Sequence, residues 1–257
     1  MQTTAPVPDR SRDMDERAWW DLWNTSYRAE ENRDETSTQL FARVVAILQQ
    51  IPEGRASRIL EVACGTGTLS RLLTFSSYHG LDISAAAIEI ARQKAELIHL
   101  RAGVRRPTYE AADFHDWPLP PEPFDLVLCV DAVSCFRDQR FTLRKMAQSM
   151  RAGGRVVLTS VNPIVYNRIR RVRGVRLESG PVSHWLSRRE LHDLVLQAGF
   201  TIERSNTIMP RGDMGFLRMV NARRLNHAFG PHVAFILRRL KERFALGQYR
   251  VVVARKG

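Results

Sequence analysis

The chain reads as an α/β protein with a parallel sheet covered by helices on both faces, and three observations predict this. Apolar runs of strand length alternate with helix-length amphipathic segments from residue 58 to residue 160. One such run, Arg58-Ile59-Leu60-Glu61-Val62-Ala63, passes through an acidic residue into a tight glycine turn, Cys64-Gly65-Thr66-Gly67, followed by helix formers. A second acidic residue, Asp82, closes the next apolar run 15 residues past Gly67. A strand–turn–helix junction exposes bare backbone at a helix N-terminus, and a downstream carboxylate suits an adenosine ribose.

The elements follow in order. Residues 1–13 read as a disordered tail, and 14–257 as a single domain. Asp15 to Ala29 reads as a helix carrying Trp19, Trp23 and Tyr27 at i, i+4 and i+8, on one face. Thr36 or Ser37 caps the next helix, through Leu40, Val44, Ile47 and Leu48, until Ile51-Pro52-Glu53-Gly54 breaks it. Strands are expected at 58–63, 78–82, 107–110, 124–130 and 154–160, with helices at 68–74, 84–99 and 138–150. Ser84 caps the second of these helices. Gly153-Gly154 supplies the turn after the third. Ser187 and Glu190 form a capping box at the head of a helix from Arg188 to Ala198, and a strand starts at Phe200. Arg211 to Leu246 is basic and helical in pattern, and Tyr249 to Ala254 is a last strand.

The loop lacks the third glycine of Gly-x-Gly-x-x-Gly, which turns the reading away from dinucleotide-dependent dehydrogenases. Glu61 to Gly67 instead resembles the first motif of the class I S-adenosylmethionine-dependent methyltransferases, acidic-x-x-(Gly or Cys)-Gly-x-Gly. Asp82, Ala112-Asp113-Phe114, Pro123-Phe124-Asp125-Leu126-Val127-Leu128-Cys129-Val130 and Arg151-Ala152-Gly153-Gly154-Arg155 follow at that family's spacing. The resemblance covers residues 38–208. It implies a Rossmann-like, doubly wound seven-stranded sheet, mostly parallel with an antiparallel last strand. It also implies an N-terminal helical lid over residues 14–52 and a helical cap insertion over 205–247.

The resemblance further implies a donor site for S-adenosylmethionine, with S-adenosylhomocysteine as product. Ala63, Cys64, Gly65 and Gly67 would admit the methionine part, and Glu61 would organise that end. Asp82 would accept from the ribose hydroxyls, and Ile83 would pack on adenine. Asp113 would accept from the adenine amine, with Phe114 beside the ring and Val130 at the end of the fourth strand. Taken singly, Asp82 and Asp113 are also what loop-capping aspartates look like. Cys64 has no base partner in sequence and reads as packing. His184, after the fifth strand, is the candidate to touch the acceptor or act as base. Trp19, Trp23 and Tyr27 either dock the first helix on the sheet or wall the acceptor site. No convincing metal-ligand set emerges.

Composition bounds the partners. The 257 residues are 44% hydrophobic, enough for a sizeable core, and no apolar run reaches the ~18 residues of a bilayer span. Three cysteines and no leader-like start suggest a reduced, cytoplasmic protein. The net charge of +12 concentrates in Arg168–Arg176 and Arg218–Arg243. It fits a solvated surface, an anionic or membrane-associated small-molecule acceptor, or nucleic acid. The reading that follows is methyl transfer to a small-molecule or lipid-like acceptor, O-methylation before N-methylation. The alternative is an RNA methyltransferase using the basic surface. It ranks lower because Val130-Asp131-Ala132-Val133 stands where base-amine methylases carry Asn-Pro-Pro-Tyr.

Overall fold

The computed structural model describes residues 15–27, 44–51, 57–96, 106–165, 184–210, 235–236, 239–240 and 243–257. The expected tail, the Thr36/Ser37 cap and the Arg168–Arg176 cluster lie outside them. Seven strands form one sheet: β1 (Ser57–Val62), β2 (Phe75–Asp82), β3 (Thr108–Ala111), β4 (Phe124–Cys129), β5 (Met150–Val161), β6 (Phe200–Pro210) and β7 (Gly247–Lys256). Their order is β3-β2-β1-β4-β5-β7-β6. The first five strands pair in parallel, and β7 inserts antiparallel between β5 and β6. The chain therefore reverses direction across the sheet between β1 and β4, which opens a crevice at their carboxyl ends.

Successive strand residues point to opposite faces, and both faces are apolar. Leu60, Val127, Cys129, Val156, Leu158, Val252 and Ala254 belong to one buried cluster, and Ile59, Leu128, Val157, Val251 and Val253 to the other. Helix α1 (Glu16–Leu22) precedes the sheet and runs into a π-helical turn, Trp23–Tyr27. Helix α2 (Ala85–Glu96) buries Ala87, Ile88, Ala91 and Ala95, the last three in the second cluster. Residues 44–48 are helical and add Val44, Ala46 and Ile47 to the same side. Helix α3 (Gln139–Gln148) and helix α4 (Arg188–Gln197) cover the first side with Leu143, Met146, Leu191 and Val195. Asp138 caps α3, and the Ser187–Glu190 capping box opens α4. Among the described residues no helix is long and apolar enough to cross a membrane.

Three local expectations change. The helix expected at 68–74 is a single 3-10 turn, Leu69–Arg71, because only Leu69 and Ser70 are buried and β2 already begins at Phe75. Gly153-Gly154 does not form the turn after α3. Both glycines lie inside β5, in the irregular stretch where Phe124 pairs with Met150 but Leu126 pairs with Arg155. Strand β6 continues to Pro210, so residues 205–210 belong to the sheet and not to the helical insertion. Of the insertion beyond, residues 235–236, 239–240 and 243 are helical, and 211–234 lie outside the described residues.

Gly80 shows how tightly β2 packs beneath the glycine loop. A Cβ there would stand 2.7 Å from the Tyr109 ring and 2.9 Å from the Cys64 sulfur. Gly80→Ala should therefore cost about 1–3 kcal/mol through overpacking. Urea unfolding of the two proteins measures this, and an unshifted midpoint would mean that Tyr109 moves aside freely.

Candidate active site

A cavity of about 290 Å³ occupies the carboxyl ends of the central strands and is roofed by α1. Its floor is the turn after β1, where Ala63, Gly65 and Gly67 all have positive φ (58°, 54° and 71°). Gly65 lines the cavity, and no atom lies within 4 Å of where its Cβ would be. The space is open, but the backbone conformation still favours glycine. Gly67 faces the other way, since a Cβ there would meet the Tyr109 hydroxyl at 2.6 Å. Ser70 donates to the Gly67 carbonyl and lies 2.6 Å from that phenol. A dinucleotide fingerprint would carry its third glycine at this position.

Asp82 ties the loop to the next turn. Its Oδ2 accepts from the Gly65 amide at 2.7 Å and its Oδ1 from the Ser84 amide at 2.9 Å. It also lines the cavity, and a carboxylate keeps lone pairs for further donors after two such bonds. Burial raises its pKa, and the Ser84 and Gly65 amides counter part of that rise. Glu61 lies beneath the loop, buried, and accepts from the Tyr78 hydroxyl. Burial first, and the Asp82 charge second, push its carboxyl well above the usual range. Burial also raises the Cys64 thiol, which suits packing and not nucleophilic attack.

The β2–β3 side of the cavity holds Ile83, Asp113 and Phe114. Asp113 Oδ1 accepts from the His115 amide at 2.8 Å, and its Oδ2 lies 3.3 Å from Arg137. Arg137 also reaches Glu16 of α1 at 3.5 Å, so one guanidinium spans from the lid to this edge. The β4–β5 side is Val130, Asp131, Cys135, Phe136, Val161, Trp185 and Tyr249. Asp131 has φ +59°, a left-handed conformation that aspartate tolerates better than most side chains. Thr159 fixes it from below: its hydroxyl accepts from the Asp131 amide at 2.8 Å and donates to Oδ1 at 2.6 Å.

Helix α1 is held by Asp21, whose Oδ1 accepts from the Ser84 hydroxyl at 2.7 Å and the Ala86 amide at 3.0 Å. The α1 carboxylate thus sits on the first turn of α2, beside the turn that Asp82 organises. The helix face differs from the expected one. Trp20 and Trp23 line the cavity, while Trp19 is only 3% exposed and packs against both, stacked on Trp23 at 5.1 Å. The Tyr27 side chain lies outside the described residues. His184 is not in the cavity wall. Its ring is exposed and bonds Glu190 at 3.0 Å across the head of α4, while its neighbour Trp185 turns inward.

The structure therefore gathers Ala63, Gly65, Asp82, Ile83, Asp113, Phe114, Val130 and Trp23 around one space. Glu61, Cys64 and Gly67 support it from beneath, and Trp19 and His184 stand apart. Sequence reasoning missed Trp20, Asp21, Asp131, Arg137, Trp185 and Tyr249. Only Trp20 had a signal, its i, i+3 spacing to Trp23.

Residues 27–205 match the family described as a methyltransferase domain. A stretch of 110 residues is 32% identical to phthiotriol/phenolphthiotriol dimycocerosates methyltransferase 1 of Mycobacterium ulcerans, covering 41% of this chain and 38% of that one. The Mycobacterium tuberculosis phthiotriol/phenolphthiotriol dimycocerosates methyltransferase is 29% identical over 166 residues, 63% of this chain and 57% of that one. The matched stretches thus span about half or less of these relatives' own length. In fold, the chain is similar to the S-adenosylmethionine-dependent methyltransferase of Mesorhizobium loti. The TM-score is 0.58 at 22% identity, covering 84% of this chain and 98% of that one. The chain belongs to the family described as a methyltransferase domain.

The buried Glu61 has a pH consequence. Its folded-state pKa lies above its ordinary value of 4.5, so between the two the folded chain holds a proton that the unfolded chain releases. Stability then falls as pH rises through that window. Chemical unfolding of the unliganded protein from pH 4.5 to pH 8 should show wild type losing stability relative to Glu61→Gln. Parallel curves would mean that Glu61 ionises without penalty.

Proposed function

We propose that this methyltransferase binds S-adenosylmethionine across the loop after β1 and the turn after β2, and methylates a hydroxyl on a small-molecule or lipid-like acceptor. The observation carrying the donor site is Asp82, a half-buried carboxylate on the cavity wall beside open backbone at Gly65. The residues suit the group: a carboxylate for ribose hydroxyls, Asp113 and the apolar Ile83 and Phe114 for adenine, and indole rings of Trp20 and Trp23 for a cationic centre. When bound, S-adenosylmethionine supplies a methyl group already activated by its sulfonium. The protein's part is positioning, water exclusion and proton removal.

Asp131 is the residue we assign to proton removal. Thr159 and the backbone orient it on the acceptor side of the cavity, among Phe136, Val161, Trp185 and Tyr249. Asp131 would accept the hydroxyl proton as the new carbon–oxygen bond forms, whereas His184 is exposed, pairs with Glu190 and does not line the cavity. The aromatic wall supports an acceptor with an apolar body. So do the names of the relatives, which are phthiotriol/phenolphthiotriol dimycocerosates methyltransferases. An RNA acceptor fits this lining less well, because Glu16, Asp113 and Asp131 would face its phosphates. Three free thiols support a reducing compartment, the cytoplasm.

Calorimetry with S-adenosylhomocysteine tests the donor site. Asp82→Ala should weaken binding at least about tenfold, since hydrogen bonds to a charged group are each worth ~1.5–3 kcal/mol. Equal affinity in a folded variant would remove Asp82 from the donor site. Labelled methyl transfer to lipid extracts tests the acceptor side. Asp131→Asn should lower turnover by about 10²–10⁴-fold, the usual range for a general base, without changing S-adenosylhomocysteine affinity. Full turnover in Asp131→Asn would refute the base assignment.

A further inference from the structure

The described part of the basic insertion carries an exposed apolar face. Phe235, Ile236, Leu240 and Phe244 are 58%, 55%, 44% and 70% exposed. Ile236, Leu240 and Phe244 follow at i, i+4 and i+8, and the Phe244 amide bonds the Leu240 carbonyl at 2.9 Å, so the described residues 235–236, 239–240 and 243, all helical, share one apolar stripe with Phe244. The other large exposed apolar side chains among the described residues, such as Leu72, Leu119 and Leu196, are scattered. Isolated apolar groups need no explanation, whereas a clustered stripe marks a binding surface.

Charge narrows what that surface takes. Between residues 235 and 244 the sequence holds Arg238, Arg239, Lys241 and Arg243 against a lone acid, Glu242. Arg239 lies 5.3 Å over the Phe235 ring, so a cation and the apolar stripe share one patch. We propose that this helix docks the protein on an anionic lipid bilayer, its apolar stripe in the acyl boundary and its arginines among the headgroups. A second copy of the chain would bring like charges together. Nucleic acid would leave the phenylalanines in water.

The helix is tied to the cavity rim. It ends at Ala245, with φ +57°. The buried Asn162, just past β5, donates from Nδ2 to the Ala245 and Gly247 carbonyls at 2.9 Å each and from its amide to the Gln248 carbonyl at 2.8 Å. One residue before Asn162, Val161 pairs with Tyr249, and both line the cavity. Docking by this helix therefore sets the acceptor side of the cavity near the membrane. A lipid-like acceptor could then enter without crossing water. That purpose rests on the function proposed above, while the docking itself does not.

Vesicle co-sedimentation of the full chain tests it, with phosphatidylcholine alone and with phosphatidylglycerol added, from low to physiological salt. Binding should require the anionic lipid. The pairs Leu240→Ser/Phe244→Ser and Arg239→Glu/Arg243→Glu should each weaken it at least about tenfold, because one removes buried apolar area and the other headgroup attraction. Separately, Phe244→Trp should gain emission that brominated lipid quenches, a readout that depends on no loss of binding. S-adenosylhomocysteine affinity should stay the same in all variants. If that affinity is absent while vesicle binding persists, the methyltransferase reading fails and the docking stands. Failure to bind anionic vesicles, binding indifferent to both pairs, self-association abolished by the serine pair, or RNA retention abolished by the glutamate pair alone would each overturn the proposal.

Discussion

Everything at the site hangs on the Asp82 carboxylate and the two backbone amides that it accepts, Gly65 and Ser84. Even a half-buried carboxylate is costly unless hydrogen-bonded, and two amides offset that cost while fixing both turns at the switch point of the sheet. The loop after β1 then keeps its three left-handed residues, and α2 begins where Ser84 caps it. Asp21 adds the lid to the same point, since it takes the Ser84 hydroxyl and the Ala86 amide. The loop after β1, the start of α2 and helix α1 thus share one hydrogen-bond network, and networks of this kind are worth more than their pairwise parts.

The sheet explains why that network can be so exacting. Its central strands are apolar on both faces, so a one-residue slip would send each buried cluster to the wrong side. With register fixed, the carboxyl ends of β1, β2 and β4 stand at set heights. The residues just past them, Ala63, Ile83 and Val130, then meet around one space. The antiparallel β7 brings Tyr249 opposite Val161 at the rim, and Asn162 carries that position into the helix ending at Ala245.

The charge pattern separates two tasks. The cavity is lined by Glu16, Asp82, Asp113 and Asp131, with Arg137 bridging two of them at the mouth. The excess positive charge of the chain lies elsewhere, much of it in the insertion before β7. An acidic, aromatic interior suits a cationic donor and a neutral nucleophile. A basic, partly apolar exterior suits an anionic surface.

Much of the fold and half of the site were legible in the sequence, because they depend on local chemistry. Strand periodicity, the glycine turn, the strand-ending Asp82 and the Ser187–Glu190 capping box are read within a few residues. The misreadings came where a choice was not local. The 3-10 turn at Leu69–Arg71 and the long β5 reflect how much chain the sheet consumes, which no helix propensity records. Whether Trp19 or Trp20 faces the cavity depends on the rotation of α1, set by Asp21 reaching α2 across more than sixty positions of chain. His184 stands off the cavity wall and pairs with Glu190 at the head of α4, a contact that sequence neighbours do not reveal. Asp131 is held by Thr159, which stands on a neighbouring strand and is 28 positions away in the chain. The sequence by itself determined the class of fold, the loop and its carboxylate, because backbone conformation and burial period are written in neighbouring residues. Only the tertiary structure decided which side chains face the cavity, because that depends on partners brought together by the sheet.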